Sequence, residues 1–285
     1  MVYLKEFTLL SEYEEDAVFS SDKRTIHNNT YPLGIFINKK LKSVTFNNIT
    51  IFYGGNGSGK TTLLNIIANK LKANRKSIIN KGNYFDIYVS KCTYENNVST
   101  PNEIKFISSD DVFDALLDIR AINSRVNRKK EELSQEWLEN KYGFKEIDNN
   151  DYEALKNKVE SRSKTMSSYI RNRLSNNNII EHSNGETALL FWEREITENS
   201  IYILDEPENS LSSENQLKLK QFIEDSARFY NCQFIVSTHS PFLLSMKDAK
   251  IYDLDSVPVI TKKWSNLSNV RLFYEFFKEN EHEFE

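Results

Sequence analysis

Gly54-Gly55-Asn56-Gly57-Ser58-Gly59-Lys60-Thr61-Thr62-Leu63-Leu64 is the stretch that decides how this chain folds. Gly54, four residues, then Gly59-Lys60-Thr61 satisfies the phosphate-binding pattern G-x-x-x-x-G-K-[ST]. Glycines let backbone N–H groups converge on phosphate oxygens with no Cβ in the way. Lys60 places a point charge near the β- and γ-phosphates, and Thr61 offers a hydroxyl to Mg2+. The flanks agree with that use. Ile49-Thr-Ile-Phe-Tyr53 reads as a buried strand running into the loop. Behind it Leu63, Leu64, Ile67, Ala68 and Leu71 recur at helical spacing, so a helix N-terminus points at the anion. A bare glycine turn is the competing reading, and it does not account for the whole motif in this setting.

The far half of the chain decides what the phosphate is for. Residues 201–208 read Ile-Tyr-Ile-Leu-Asp-Glu-Pro-Glu, an apolar strand ending in two adjacent carboxylates. In a parallel sheet that end lies beside the phosphate loop. Asp205 is then expected to hold Mg2+ and Glu206 to act as general base on the attacking water. Ser213-Glu-Asn-Gln216 fits a capping box that opens a helix. Gln233-Phe-Ile-Val-Ser237 reads as another buried strand, ending in Thr238-His239-Ser240-Pro241. His239 follows Asp205 by 34 residues, room for one strand–helix–strand unit, which brings it to the same sheet edge.

Bulk properties set the limits. The 39% hydrophobic and 12% aromatic content suffices for a packed core. With 37 basic against 41 acidic residues, no global positive field advertises nucleic acid. No apolar run reaches the ~18 residues a membrane span needs, and the N-terminus lacks the apolar core of a secretion signal. Cys92 and Cys232 lie far apart without metal spacing, so they read as two reduced core thiols. The expectation is a cytoplasmic protein with no membrane contact.

The order Gly-x4-Gly-Lys-Thr, Leu-Asp-Glu-Pro, Ser-Thr-His-Ser-Pro resembles that of ABC-type ATPases. Those enzymes carry a fourth motif, Leu-Ser-Gly-Gly-Gln/Glu, about one helix before the acidic strand. Here His182-Ser183-Asn184-Gly185-Glu186 stands in that place, with Ser183 22 residues ahead of Asp205 and an apolar helix, Ala188-Leu-Leu-Phe-Trp192, behind it. It resembles a degenerate signature. Asp-Glu-Pro-Glu-Asn-Ser-Leu and Thr-His-Ser-Pro-Phe-Leu-Leu are most similar to stand-alone bacterial members, the RecF, SMC and OLD-like ATPases often labelled "AAA family ATPase". The resemblance covers roughly residues 40–255 and implies an α/β P-loop NTPase. Its core sheet is mainly parallel, flanked by a β-rich N-terminal segment and carrying an inserted helical lobe. It implies ATP and Mg2+, with Gly54, Asn56, Gly57, Ser58, Gly59, Lys60, Thr61 and Thr62 on the nucleotide and Thr61 and Asp205 on the metal. Lys60, Glu206 and His239 would act in hydrolysis. Ser183 and Gly185 would meet the γ-phosphate of a nucleotide held by a second copy, in an ATP-dependent head-to-tail homodimer. A protein effector, with a role in phage defence or DNA repair, follows from the same likeness.

Three departures qualify it. No glutamine follows a strand between the phosphate loop and the lobe; Ile104-Lys-Phe-Ile107 ends instead in Ser108-Ser-Asp-Asp111. Asp110 or Asp111 fills that slot, or the pair caps the next helix. The loop after the acidic strand reads Ser210-Leu211-Ser212 where the family has Ala-Leu-Asp. Tyr31 is the one candidate for stacking on the base. The chain is expected to be one ATPase domain over 1–285: an N-terminal β-rich and phosphate-loop part (1–110), a lobe (111–182), a signature and acidic-strand part (183–255) and a helical tail (256–285). Within the lobe Arg125, Arg128, Lys129 and Lys130 cluster before Glu131 and Glu132. They read as a solvated helix face, or as the contact of a nucleic-acid-handling repair ATPase. The third class, a transporter energy subunit, fits the Asp-Glu-Pro-Glu block worst. The aromatics Phe273, Tyr274, Phe276 and Phe277 are expected to dock the tail as a helix.

Overall fold

The computed structural model describes residues 1–20, 29–79, 81–97, 99–143, 152–174, 184–209 and 211–284. The chain runs through β1 (Leu4–Thr8), α1 (Glu12–Ser20), α2 (Ile35–Asn38), β2 (Ser43–Thr45), β3 (Ile49–Tyr53), α3 (Lys60–Lys70), α4 (Phe85–Lys91), β4 (Thr93–Asn96), β5 (Ile104–Ser108) and α5 (Ser109–Tyr142). There follow α6 (Tyr152–Ser163), α7 (Met166–Leu174), α8 (Asn184–Glu195), β6 (Ile201–Asp205), α9 (Ser213–Phe229), β7 (Gln233–Ser237), α10 (Pro241–Leu244), β8 (Lys250–Asp253), β9 (Ile260–Thr261) and α11 (Ser268–Glu279). Two compact units result, residues 1–113 with 184–285, and residues 114–183.

The larger unit is α/β. Its main sheet has the order β5-β6-β7-β3-β8-β9, parallel except for the antiparallel pair β8–β9. Every residue of β3, β6 and β7 is buried, which is why these strands read as unbroken apolar runs rather than alternations. Register aligns their ends: Ser108 pairs with Asp205, Asp205 with Ser237 and Ser237 with Phe52. The C-terminal ends of four strands therefore form one row. α3 buries Leu63, Leu64, Ile66, Ile67 and Ala68, packing on the sheet through the stripe its spacing predicts.

A second sheet, β2-β1-β4, is antiparallel. Gln233 joins it to the first. Its Oε1 accepts from the backbone N–H of Tyr3 and Leu4, while its Nε2 donates to the carbonyls of Leu4 and Asn47. A buried amide with both ends satisfied stabilises where a half-satisfied one would cost about 1–3 kcal/mol.

The smaller unit holds most of α5 with α6 and α7. Leu133, Trp137 and Tyr169 form its core, with Met166, Ile170 and Leu174 packed against them. The Arg173 guanidinium lies 3.7 Å from the Tyr169 ring centroid, and Tyr169 donates to Glu136. In the basic cluster, Lys129 pairs with Glu132 at 3.0 Å.

Three local expectations are corrected. The N-terminal part, expected to be β-rich, also holds a helix: Ser11 and Glu14 form a reciprocal capping box that opens α1. The cap of α9 is Ser212, not Ser213: its side chain accepts from Asn215 N. The tail helix α11 forms but does not dock through its aromatics. Phe273, Tyr274, Phe276 and Phe277 are 42–56% exposed, and Val270 is the one buried residue of the helix.

Candidate functional site

The row of strand ends gathers the residues that the motifs single out. Gly54 begins the loop after β3; a Cβ there would lie 2.6 Å from Ser58 Oγ, so the fifth residue of the motif folds back where only glycine leaves room. Gly59 sits at φ +93°, the left-handed conformation that lets the loop turn into α3. Gly55, Asn56 and Gly57 face solvent, Thr62 is half-buried, and Ser58 is buried with its hydroxyl unpaired. Asp255, beyond β8, accepts from Gly55 N at 3.0 and 2.8 Å and braces the loop from outside.

Lys60, 5% exposed, curls inside this loop. Its Nζ donates to the carbonyls of Gly54 (2.9 Å) and Gly55 (3.2 Å), and lies 2.7 Å from His239 Nε2 and 3.8 Å from Glu206 Oε1. His239 Nε2 is in turn 3.3 Å from Glu206 Oε1. Lysine, glutamate and histidine from three separate segments thus meet at one point.

Asp205 ends β6 and is buried at 9% exposure. Thr61 Oγ1 donates to its Oδ1 at 3.2 Å, and Ser237 Oγ donates to the same oxygen. Burial pushes this carboxyl above its ordinary range, and the neighbouring Glu206 charge adds to that, against the pull of Ser237, Thr61 and Lys60. A carboxylate held away from water beside a hydroxyl suits a hard divalent cation. Among the described residues no three His, Cys, Asp or Glu side chains gather as a metal site. A carboxylate and a hydroxyl are oxygen donors that fit Mg2+, which keeps waters and substrate phosphates among its ligands.

Glu206 adopts φ +49°, a left-handed conformation that costs a non-glycine residue about 1–2 kcal/mol. Its N–H donates to Ser237 O and Ser237 Oγ, both at 3.1 Å, and Asn209 Nδ2 donates to its Oε2. This held turn swings the carboxylate out of line with β6 and toward Lys60 and His239. Strain of this kind collects at functional sites.

Of the acidic pair before the lobe, Asp111 caps α5: its Oδ2 accepts from Ser108 N (2.8 Å) and Ser108 Oγ (2.9 Å), and its own N–H donates back to Ser108 Oγ. Asp110 instead lines a cavity of about 500 Å3 together with Thr61, Asn65, Arg75 and Asp205. Tyr31 lines the same cavity and stacks on Phe85 with ring centroids 6.0 Å apart. Ser183 lies outside the described residues; α8 opens at Asn184, immediately after it, and takes Gly185 into its first turn. Both cysteines are free and buried.

Sequence reasoning missed Glu208. It is buried, and one of its oxygens accepts from three consecutive residues around His239. The signal was in the quoted Asp-Glu-Pro-Glu block, but the partners lie some 30 residues on.

The family described as ABC transporter matches residues 42–209. A second family, an AAA domain described with the AbiEii toxin of a Type IV TA system, matches residues 187–245. No curated protein matches the chain. Among solved structures, the SMC head domain from Thermotoga maritima matches at 15% identity, covering 92% of this chain and 98% of that one, with a TM-score of 0.38. The Smc head domain with an extended coiled coil bound to the C-terminal domain of ScpA, derived from Pyrococcus furiosus, matches at 13% identity over 97% and 100%, TM-score 0.40. A dimeric ATP-binding cassette in a post-hydrolysis state bound to ADP and Pi matches at 15% identity over 94% and 100%, TM-score 0.36.

Proposed function

Because the chain belongs to the ABC-type P-loop ATPases, and so is an ATP hydrolase, we propose that it dimerises head to tail around two ATP molecules and serves as a switch for a partner effector. The observation that carries this reading is the meeting of Lys60, Glu206 and His239 within 3.8 Å, directly beside the Thr61–Asp205 pair. One chain thereby offers the charge, base and metal ligands for a single nucleotide, and the donors on the far side of the γ-phosphate come from elsewhere. Ser183 and Gly185 of a second copy supply those.

In this mechanism the loop from Gly54 to Thr62 cradles the phosphates and Lys60 moves from the loop carbonyls to the β/γ oxygens. Thr61 and Asp205 would hold Mg2+, which would supply positive charge against the phosphates. Glu206 accepts a proton from the attacking water, and His239 donates to the γ-phosphate oxygens that gain charge. Two-fold symmetry makes two identical composite sites. Hydrolysis removes the bridge between subunits, and the partner reads the change. The AAA-domain match, whose description names a toxin of a TA system, supports a defence role for that partner.

Glu206→Gln is the test. It should keep ATP binding, lower turnover by about 10²–10⁴-fold, and sediment as a dimer with Mg-ATP but less so with ADP. A Glu206→Gln protein that hydrolyses ATP at the wild-type rate would remove the base; one that stays monomeric under saturating Mg-ATP would remove the dimer.

A further inference from the structure

Glu208 follows the candidate base by two residues and is 8% exposed. Its Oε1 accepts from Thr238 Oγ1 at 2.6 Å, His239 N at 2.7 Å and Ser240 N at 3.2 Å. Those three donors are consecutive in the loop between β7 and α10. The other oxygen, Oε2, is buried with no hydrogen-bond partner. Burying a carboxylate costs free energy, and its first effect is to push this carboxyl up, against the hydrogen bonds that pull it down. A surface glutamate would cap a turn at no such cost, so the expense has to be explained by what the bonds hold.

They hold the backbone of His239. The Asp205–Asn209 turn is itself closed, with Asn209 N donating to Glu206 O. Glu208 therefore ties the loop that carries the histidine to the turn that carries the glutamate. Other ties to the His239 loop are one bond each: Thr238 N to Phe52 O at 3.4 Å, Lys60 Nζ to His239 Nε2 at 2.7 Å, Asn269 Nδ2 to His239 O at 3.3 Å and Ser240 Oγ to Gln216 Oε1. Glu208 Oε1 alone supplies three bonds to three consecutive residues of that loop. We propose that Glu208 is a positioning residue for hydrolysis: it clamps the His239 loop against the Glu206 turn and so sets the separation of His239 Nε2 from Glu206 Oε1, 3.3 Å in this structure. The inference rests on the hydrolytic roles given to Glu206 and His239 above.

Its test is a double-mutant cycle on the full chain, read as steady-state ATP hydrolysis beside nucleotide titration. Glu208→Ala should lower kcat by about 10–10²-fold, the scale of a small misplacement in an active site. KM for ATP should stay within about threefold, because the phosphate loop is untouched. Glu208→Gln keeps an acceptor oxygen and should recover most of the rate. In a His239→Ala background, Glu208→Ala should cost nothing more, since residues acting through one another are not additive. Thr238→Val, which removes one donor without opening the core, should give a smaller kcat loss that likewise vanishes with His239→Ala, and it stands in if Glu208→Ala does not fold. Full additivity of either variant with His239→Ala overturns the clamp. So does a Glu208→Gln protein as slow as Glu208→Ala, which would mean that the charge itself is used. A His239→Ala protein at the wild-type rate instead overturns the histidine's role, a distinguishable failure.

Discussion

Asp205 shows what a single residue costs this fold. Its carboxyl is raised by burial, so the folded chain resists its ionisation. The sign follows from linkage: an acid whose folded pKa lies above its unfolded value destabilises the fold wherever the unfolded chain would be ionised. That penalty is absent below the ordinary value of 3.8, grows as pH rises through the folded value, and is complete above it. Asp205→Asn should therefore raise Tm at neutral pH. The gain should shrink on acidification while ATP hydrolysis is lost throughout. An unchanged or lower Tm in thermal melts at pH 7 would show that Ser237, Thr61 and Lys60 already offset the burial. Asp205, Glu206 and His239 were legible in the sequence because a strand end fixes where a residue points. Glu208, Asp255 and Asn269 were not, because their meaning lies in partners 30 to 200 residues away, as with Gly55 for Asp255 and His239 for the other two.

At the scale of elements, the β5–α5 junction separates two neighbouring carboxylates. Asp111 points back to cap α5 while Asp110 lines the cavity beside Thr61 and Asp205. Asp111→Asn should leave hydrolysis unchanged and cost little stability, since Asn caps about as well as Asp. Asp110→Asn should slow Mg2+-dependent hydrolysis by about 10²-fold, the lower end for a group acting on the reacting water. Equal rates for the two variants in the same ATPase assay would return Asp110 to the role of a surface acid. The strands were read correctly for a physical reason: β3, β6 and β7 are buried on both faces, so apolar runs and strand coincide. The tail was misread for the complementary one. Helical spacing of Phe273, Tyr274 and Phe277 specifies a shared face, and periodicity does not say whether that face meets protein or water.

For the whole molecule, the order of strands matters more than their number. The main sheet places β3 between β7 and β8, pairing Ile49 with Phe234 and Thr50 with Lys250. Gln233 then fastens the start of β7 to Tyr3 and Leu4. The first and last thirds of the chain thus close on each other, an arrangement of high sequence separation that folds slowly. Synthesis proceeds at about 5–20 residues per second, so during translation the strand that leads into the phosphate loop waits on the order of ten seconds or more for either neighbour. A fragment of residues 1–230 should show rapid amide exchange across Ile49–Tyr53, and the full chain strong protection there; protection in the fragment would mean that β3 has found another partner. Throughout that interval the growing chain carries a mostly apolar strand without either of its partners, and its survival depends on what shields it at the ribosome until Asp253 has emerged.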